Sequence, residues 1–418
     1  MKVLIIGGGG REHTLAWKFA QSTTVEHIYA APGNAGMGKV AESINVKESD
    51  HRGLITFAKE NQIDLTIVGP EAPLLEGIVN DFQEVGLTVF GPTKEAALIE
   101  GSKSFAKSFM HRHAIPTGSY FVTSDYDEAI SHLEKEGAPI VIKADGLAAG
   151  KGVTVAFTKS EAIDAIKAIL KDDKFGKAGA EVVLEQFLEG EELSLMAFVH
   201  EEMVIPMVAA QDHKRAFDGD EGPNTGGMGA YSPVPQFSQA DIDRAVIDVL
   251  QPAATGLMKE GRPFTGILYA GLMMTEKGPQ VIEFNARFGD PEAQVVLPRL
   301  ESDLATVIMD LLHRGKPELL WSEEAVLGVV AAAKGYPGPY AKGKLIQAVP
   351  EAELLFFAGV KKEADNYQTA GGRVLLLAEK SSSLKDAKEA VYDKLQHLDT
   401  TNLFYRTDIG DKAITRFE

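Results

Sequence analysis

Four short apolar runs within the first hundred residues, each cut off by glycine or proline, constrain this chain more than anything else in it. They are Val3-Leu4-Ile5-Ile6 before Gly7-Gly8-Gly9-Gly10, His27-Ile28-Tyr29-Ala30 before Pro32-Gly33-Asn34, Leu65-Thr66-Ile67-Val68 before Gly69-Pro70-Glu71, and Thr88-Val89-Phe90 before Gly91-Pro92. Helical periodicity fills the gaps, over 11–21, 54–61 and 75–85. Continuous apolar strands alternating with amphipathic helices predict a doubly wound, parallel-sheet α/β domain over 1–101. In such a sheet, ligands bind beyond the carboxyl ends of the strands, where this chain places its small and polar residues. A glycine turn feeding a helix N-terminus is a phosphate cradle. A dinucleotide site fits poorly. The last glycine of the G-x-G-x-x-G pattern is replaced by Glu12, and the second strand ends in Ala30-Ala31-Pro32-Gly33 without a ribose-binding acid. A single phosphate is the better expectation.

At 418 residues, the chain has room for two to four domains. Hydrophobic residues make up 44% and charged residues 24%, ordinary values for a globular protein. No apolar run reaches transmembrane length, and MKVLIIGGGG reads as a first strand, not a secretion signal. With no cysteine, disulfides, thiol nucleophiles and zinc–thiolate sites are excluded, and a cytoplasmic setting is expected. The balance of 42 basic against 60 acidic residues, a net charge of −18, repels nucleic acid. A phosphate-bearing ligand must therefore be held by local groups. The ten histidines form no HExxH or other clustered metal pattern.

The second region has a different texture. A helix over 101–113 carries Lys103 and Lys107 one turn apart, and a helix follows over 129–136. The strand 140–143 ends in Lys143 and runs into a loop with Gly146, Gly150, Lys151 and Gly152 before a strand at 153–155. Glycines with a lysine between two strands form a loop that closes over phosphates. The spacing is not that of a Walker A loop, since three residues separate Gly146 from Gly150 and Gly152 stands where Ser or Thr belongs. A strand at 181–184 leads through Glu185-Gln186-Phe187-Leu188-Glu189-Gly190-Glu191-Glu192 into another at 193–199. This is the outline of an adenine and ribose hinge, or else a surface acid cluster. A long polar loop, 210–231, interrupts an otherwise compact region, as functional loops do. A helix over 239–260 precedes a hairpin of 266–275 with 280–284. That hairpin delivers Glu283 and Asn285, two apart and so on one strand face, with Arg287 continuing it. Two oxygen ligands suit Mg²⁺, which completes its shell with water and phosphate, and the Arg fork suits a carboxylate or phosphate. A helix over 302–314 and a boundary at 320–324 end the region. A smaller α+β unit, 325–418, follows, with strands at 326–332, 354–357 and 374–378 and a helix at 384–398.

In that order, Lys103, Lys143, the 146–152 loop, Glu185 with Glu192, and Glu283-x-Asn285 resemble the ATP-grasp superfamily. Within it, Gly-Gly-Gly-Gly-Arg-Glu-His (7–13), Pro-Gly-Asn (32–34), Gly-Pro-Glu (69–71), Gln-Asp-His-Lys-Arg (211–215), Gly-Pro-Asn-Thr-Gly-Gly-Met-Gly (222–229) and Phe-Asn-Ala-Arg-Phe-Gly-Asp-Pro-Glu (284–292) resemble the phosphoribosylamine–glycine ligases, across essentially the whole chain. The resemblance implies a central ATP-grasp fold over 102–320, with a mobile ATP-binding lobe over about 115–188, between the N-terminal domain and a small C-terminal one. It implies ATP on Lys103, Lys143, Gly146, Gly150, Lys151, Gly152, Glu185, Phe187, Leu188 and Glu192, and Mg²⁺, with Mn²⁺ as the alternative, on Glu283 and Asn285. Many superfamily members carry a further metal carboxylate on the preceding strand, but Leu268-Tyr269-Ala270-Gly271 offers none.

The implied reaction joins glycine to 5-phosphoribosylamine in de novo purine synthesis, through glycyl phosphate. Gly8, Gly9, Gly10, Asn34 and Glu71 would hold phosphoribosylamine, and Asp212, Lys214, Gly289 and Asp290 its far side and the glycine ammonium. Arg287, Lys143 and Asp212 are the catalytic candidates. A monomer with small-molecule partners alone is expected. Other readings stay open: an ATP-grasp relative using formate or bicarbonate, and an ATP sensor without turnover. A dehydrogenase is disfavoured.

Overall fold

A computed structural model describes residues 1–146, 152–172, 176–364 and 366–415. The N-terminal sheet is wholly parallel, in the order Glu42–Ser43, His27–Pro32, Lys2–Gly7, Leu65–Val68, Val89–Phe90. Val3, Leu4, Ile5 and Ile6 are fully buried, as a run without alternation requires of a central strand covered on both faces. The helix Gly10–Phe19 leaves the first strand through a tight glycine turn, and Glu12 folds back to accept from the Gly9 N–H at 2.6 Å. A Cβ on Gly8 would lie 2.3 Å from the Gly33 carbonyl oxygen, so two strand-end loops touch backbone to backbone there. The helix expected over 75–85 divides into Glu71–Glu76 and Ile78–Glu84 because Gly77 adopts a left-handed conformation (φ +94°).

The helix expected over 101–113 is Lys103–Arg112, preceded by a helix, Lys94–Gly101, that the sequence reading did not place. Lys94–Gly101 stops at Ser102, which is extended and caps Lys103–Arg112 by accepting from Phe105 N–H at 3.1 Å. Beyond it, an antiparallel sheet runs in the order Tyr120–Thr123, Val182–Gln186, Ile140–Ala144, Val153–Ala156. Helices Tyr126–Glu136 and Lys159–Leu170 cover it with a hydrophobic cluster of their own, including Leu133, Ile142, Ile166 and Leu184. The second of these helices falls where the sequence reading placed nothing, although Thr158 and Glu161 form a capping box at its start.

A second antiparallel sheet runs Met203–Pro206, Glu191–His200, Thr265–Thr275, Gly278–Asn285. The last two strands form the expected hairpin, with one irregularity. Gly271 faces Glu283 and Leu272 faces Val281, so Ile282 is an extra residue, bulged out of register.

The long polar loop is more than a loop. Gln211–Asp212 and Gly229–Ser232 are strands in one sheet with Ala325–Ala333, Arg373–Ser381 and Leu354–Phe357. The sheet of the C-terminal part is therefore completed by chain from the middle of the sequence. Gly229–Ser232 is buried throughout and lacks the alternation that marks a strand with one solvated face.

Candidate active site

These sheets converge on a cavity of about 490 Å³. The N-terminal turn supplies Gly8, Gly9 and Arg11 to it, with Glu71 from the third strand end. The helix Lys103–Arg112 and the turn before it supply Glu100, Lys103 and Lys107. The hairpin and its continuation supply Glu283, Asn285, Arg287, Asp290 and Glu292, and the 211–226 segment supplies Asp212, Lys214, Thr225 and Gly226. Gly152 and Glu185 come from the small sheet, and Tyr336 and Arg373 from the C-terminal part. Twelve expected residues thus meet on one wall system: Gly8, Gly9, Glu71, Lys103, Gly152, Glu185, Asp212, Lys214, Glu283, Asn285, Arg287 and Asp290.

Charge in the cavity is paired and unevenly shared. Burial alone would raise the Glu283 carboxyl, but Lys214, Lys143, Lys103 and Arg287 outweigh it and hold the group below its usual range. Asp212 goes the other way. Burial, helped by Glu292, Glu192 and Glu283 and opposed by Lys214, pushes it up to about 8. Burial acts against the Lys214 ammonium too, yet Glu192 (3.1 Å away) and Asp212 raise it well above an ordinary lysine. Arg287 is spanned by oxygens. Its Nη2 lies 2.9 Å from Glu100 Oε1 and donates to Asn285 Oδ1 at 3.1 Å, its Nη1 donates to the Phe288 carbonyl at 3.1 Å, and its Nε stands 3.6 Å from Glu71. Glu100 also accepts from Ala286 N–H at 2.7 Å, so it fixes both Arg287 and the backbone that carries it.

A divalent cation fits what Glu283 and Asn285 offer. The carboxylate is held ionised, Asn285 lines the same cavity with an amide oxygen that accepts from Arg287 and keeps a second lone pair, and among the described residues no group of three His, Asp or Glu competes as a metal cage. Two protein oxygens suit an ion that draws the rest of its shell from phosphate and water.

Several expected residues stand elsewhere, each for a visible reason. Lys143 is 3% exposed and lies behind Glu185, its Nζ 2.9 Å from Glu185 Oε1 and donating to the bulged Ile282 carbonyl at 3.1 Å. Glu185 is gripped by two lysines instead of facing an open hinge, and Glu192 lines an adjoining hollow with Asp212 and Lys214. Asn34 uses its amide N–H groups on the Gly8 and Phe357 carbonyls, both at 2.9 Å, and lines a separate hollow behind the glycine turn. Gly10 begins a helix and backs onto Gln294, and Gly289 packs on Glu292 with its N–H on Met196 Sδ. Gly146 sits at the loop base, donating to the Ala178 carbonyl at 3.1 Å while its own carbonyl accepts from Lys103. Phe187 stacks edgewise on Phe157, and Leu188 packs near Gly118, both away from the cavity wall. Gly150 and Lys151 lie outside the described residues.

Sequence reasoning missed Arg11, Glu100, Lys107, Tyr269, Glu292, Tyr336 and Arg373. Lys107 was legible as the helical neighbour of Lys103, and Glu292 ends a quoted motif. Tyr269 donates to Glu292 at 2.6 Å from the register position opposite Asn285. Arg373 donates to the Gly226 and Asp290 carbonyls at 2.8 and 2.6 Å, and Gly226 N–H donates to Tyr336 at 3.0 Å. No local signal announces a residue that reaches a site from another sheet.

Three family models match the chain: the phosphoribosylglycinamide synthetase N domain over residues 1–100, its ATP-grasp (A) domain over 101–293, and its C domain over 326–412. A phosphoribosylamine–glycine ligase of Halalkalibacterium halodurans is 64% identical over 99% of this chain and 97% of its own. One of Listeria monocytogenes is 54% identical over 99% of this chain and 100% of its own. The crystal structure of phosphoribosylamine–glycine ligase from Thermotoga maritima superposes with a TM-score of 0.87 at 33% identity, covering 98% of this chain and 100% of that one. The biotin carboxylase domain of Hydrogenobacter thermophilus 2-oxoglutarate carboxylase shares the fold alone, with a TM-score of 0.75 at 15% identity over 97% and 91% of the two chains. The parallel N-terminal sheet, the central two-sheet region around the cavity and the C-terminal sheet are those of one family, and the chain belongs to it: the phosphoribosylglycinamide synthetases, ATP-grasp ligases of purine biosynthesis.

Proposed function

We propose that this enzyme couples glycine to 5-phosphoribosylamine, converting ATP to ADP and phosphate and giving glycinamide ribonucleotide. The observation that carries the reading is the gathering, in one cavity, of Lys103, Lys214 and Arg287 with Glu283 and Asn285, beside a glycine turn made for a phosphate. A carboxylate is a poor electrophile, so activation comes first. The glycine carboxylate oxygen attacks the γ-phosphorus, the bond to the ADP oxygen breaks, and glycyl phosphate forms. The amine of phosphoribosylamine then attacks the glycyl carbonyl, inorganic phosphate leaves, and the amine gives up a proton. No side-chain nucleophile is needed, since positioning and charge neutralisation lower both barriers.

Lys103 and Lys143 neutralise the nucleotide phosphates in this reading, and Glu192 takes the ribose. Gly8, Gly9 and Glu71 receive phosphoribosylamine, with Asn34 shaping the turn from behind. Asp212, Glu292 and Asp290 form the acidic wall that suits the glycine ammonium. Mg²⁺ on Glu283 and Asn285 would supply Lewis-acid neutralisation of phosphate oxygens. Domain limits near 101 and 325 and a lobe over about 115–188 that closes on ATP belong to the same reading. So do a monomeric state and a cytoplasmic setting without nucleic-acid or membrane partners. The net charge of −18 supports that setting, and among the described residues no helix is long and apolar enough to cross a membrane.

The test is phosphate release from MgATP with glycine and fresh phosphoribosylamine, each omitted in turn. Release that requires both carries the assignment. Release driven by formate or bicarbonate and not by glycine would move it to another ATP-grasp chemistry.

A further inference from the structure

Lys107 is 2% exposed, and the mechanism above gives it no task of its own. Its ammonium lies 2.7 Å from Glu185 Oε2 and donates to Thr117 Oγ1 at 2.7 Å. Thr117 in turn donates to the Val281 carbonyl at 2.7 Å, so Lys107 is anchored to the strand that leads into Glu283. The other oxygen of the same carboxylate faces Lys143 at 2.9 Å. One buried carboxylate therefore serves two buried ammonium groups, and the triad carries a net positive charge.

This sharing has a consequence for any anion entering the cavity. Separating a buried ion pair strands a charge in a poorly solvating interior. If Lys143 were the only counter-charge of Glu185, turning to a phosphate oxygen would leave a bare carboxylate beside that phosphate. With Lys107 fixed on Oε2, Lys143 can exchange Oε1 for phosphate while Glu185 stays neutralised. We infer that Lys107 is a positioning residue for nucleotide binding, which holds the charge of Glu185 so that Lys143 is released to the phosphates. The inference rests on the reading of this cavity as the ATP site.

The experiment is a double-mutant cycle on MgATP affinity by calorimetry, with no glycine or phosphoribosylamine present, on Lys107→Met, Glu185→Gln and the double variant. Lys107→Met is expected to weaken MgATP binding by about tenfold or more, the scale of a lost charge-assisted contact. The double variant keeps the net charge of the wild-type triad, leaves Lys143 unlocked, and is expected to bind within about threefold of Glu185→Gln alone. If the two losses multiply, Lys107 touches the nucleotide directly and the inference falls. It also falls if Lys107→Met binds MgATP as the wild type does. A purely structural triad would move the melting temperature and leave the ratio of ATP to glycine KM unchanged, which is the third overturning result. Should Lys107→Met not fold, the comparison of the double variant with Glu185→Gln decides. Failure of the wild type to bind MgATP would sink the reading of the cavity, a result distinct from any of these.

Discussion

At Glu283 the balance of the cavity depends on one carboxylate. Lys214, Lys143, Lys103 and Arg287 overcome its burial and keep it ionised. Glu283→Gln preserves the shape and removes the charge. We expect ligase turnover to fall by about 10²–10³-fold, the scale on which active-site electrostatic groups act, with the melting temperature little changed. A variant retaining more than about a tenth of wild-type phosphate release would place the reaction centre elsewhere. Gly8 tests the opposite wall. Its Cβ would meet the Gly33 carbonyl oxygen at 2.3 Å and the carbonyl carbon at 2.9 Å, and backbone atoms cannot yield as a side-chain tip can. Gly8→Ala should therefore spread the two loops. We expect the KM for phosphoribosylamine to rise roughly tenfold while that for ATP stays near its wild-type value, the cost falling locally as overpacking costs do. Glu283, Asn285 and the glycine turn were legible because strand periodicity and short-range spacing suffice to aim them. For Lys143 the sequence shows the residue and not its partner, because a strand-ending lysine looks the same whether it faces a cavity or, as here, a buried carboxylate on the neighbouring strand.

Among the elements, the helix Lys103–Arg112 carries the most. It presents Lys103 and Lys107 on one face, and its start is tied to the base of the glycine loop. Asp145 Oδ1 accepts from Ser104 N–H at 2.6 Å, Ser102 Oγ donates to the same carboxylate at 3.2 Å, and Lys103 Nζ donates to the Asp145 and Gly146 carbonyls at 3.2 and 3.0 Å. Asp145→Ala removes the carboxylate at the positive end of a helix, an interaction worth about 1 kcal/mol. We expect a fall of a few degrees in melting temperature and a roughly fivefold rise in the KM for ATP, with the KM for glycine unmoved. Equal rises in both would mean that the helix is merely loosened. The sequence reading found this helix and passed over Lys94–Gly101 before it, a short helix that ends where Ser102 turns extended and caps the next. Shortness also hid the strands Gln211–Asp212 and Gly229–Ser232. Two and four residues are too few to display a period, and the strand that ties Gly229–Ser232 into the sheet lies about a hundred residues away.

On the scale of the whole molecule, two buried histidines mark where the C-terminal part is fastened. His13, on the first helix, accepts from Phe357 N–H through Nδ1 at 2.9 Å and packs against Phe356 and Phe357. His213 is 2% exposed, and its Nε2 faces Gly410 N–H at 3.4 Å. A nitrogen that accepts from an amide cannot carry a proton, so both rings are neutral in the folded protein. Burial lowers His13 from 6.5 to about 4. Burial, reinforced by Arg406 and Lys412, lowers His213 to about 3. For a base whose folded value is depressed, the unfolded chain binds more protons at any pH below about 6.5. Stability is therefore complete above that pH and drains away as pH falls toward 4 and then 3. At about 1.4 kcal/mol per unit, the His13 shift is worth ~3 kcal/mol once pH is below 4. The window separates this loss from acid unfolding driven by carboxylates, whose depressed values release stability only below about 4. His132 and His200 shift in the same direction but are less buried. Asp212, pushed up to about 8, adds stability as pH falls through the same range, so melting temperatures from pH 8 to 4.5 carry both effects, and the decline due to the histidines sets in below about 6.5. In His13→Gln, whose side-chain oxygen can still accept from Phe357 N–H, the decline should be shallower, even though lost ring packing lowers the plateau. A His13→Gln profile that parallels the wild type would mean that the proton is taken up elsewhere, and that the fastening of the C-terminal part to the first helix is insensitive to pH.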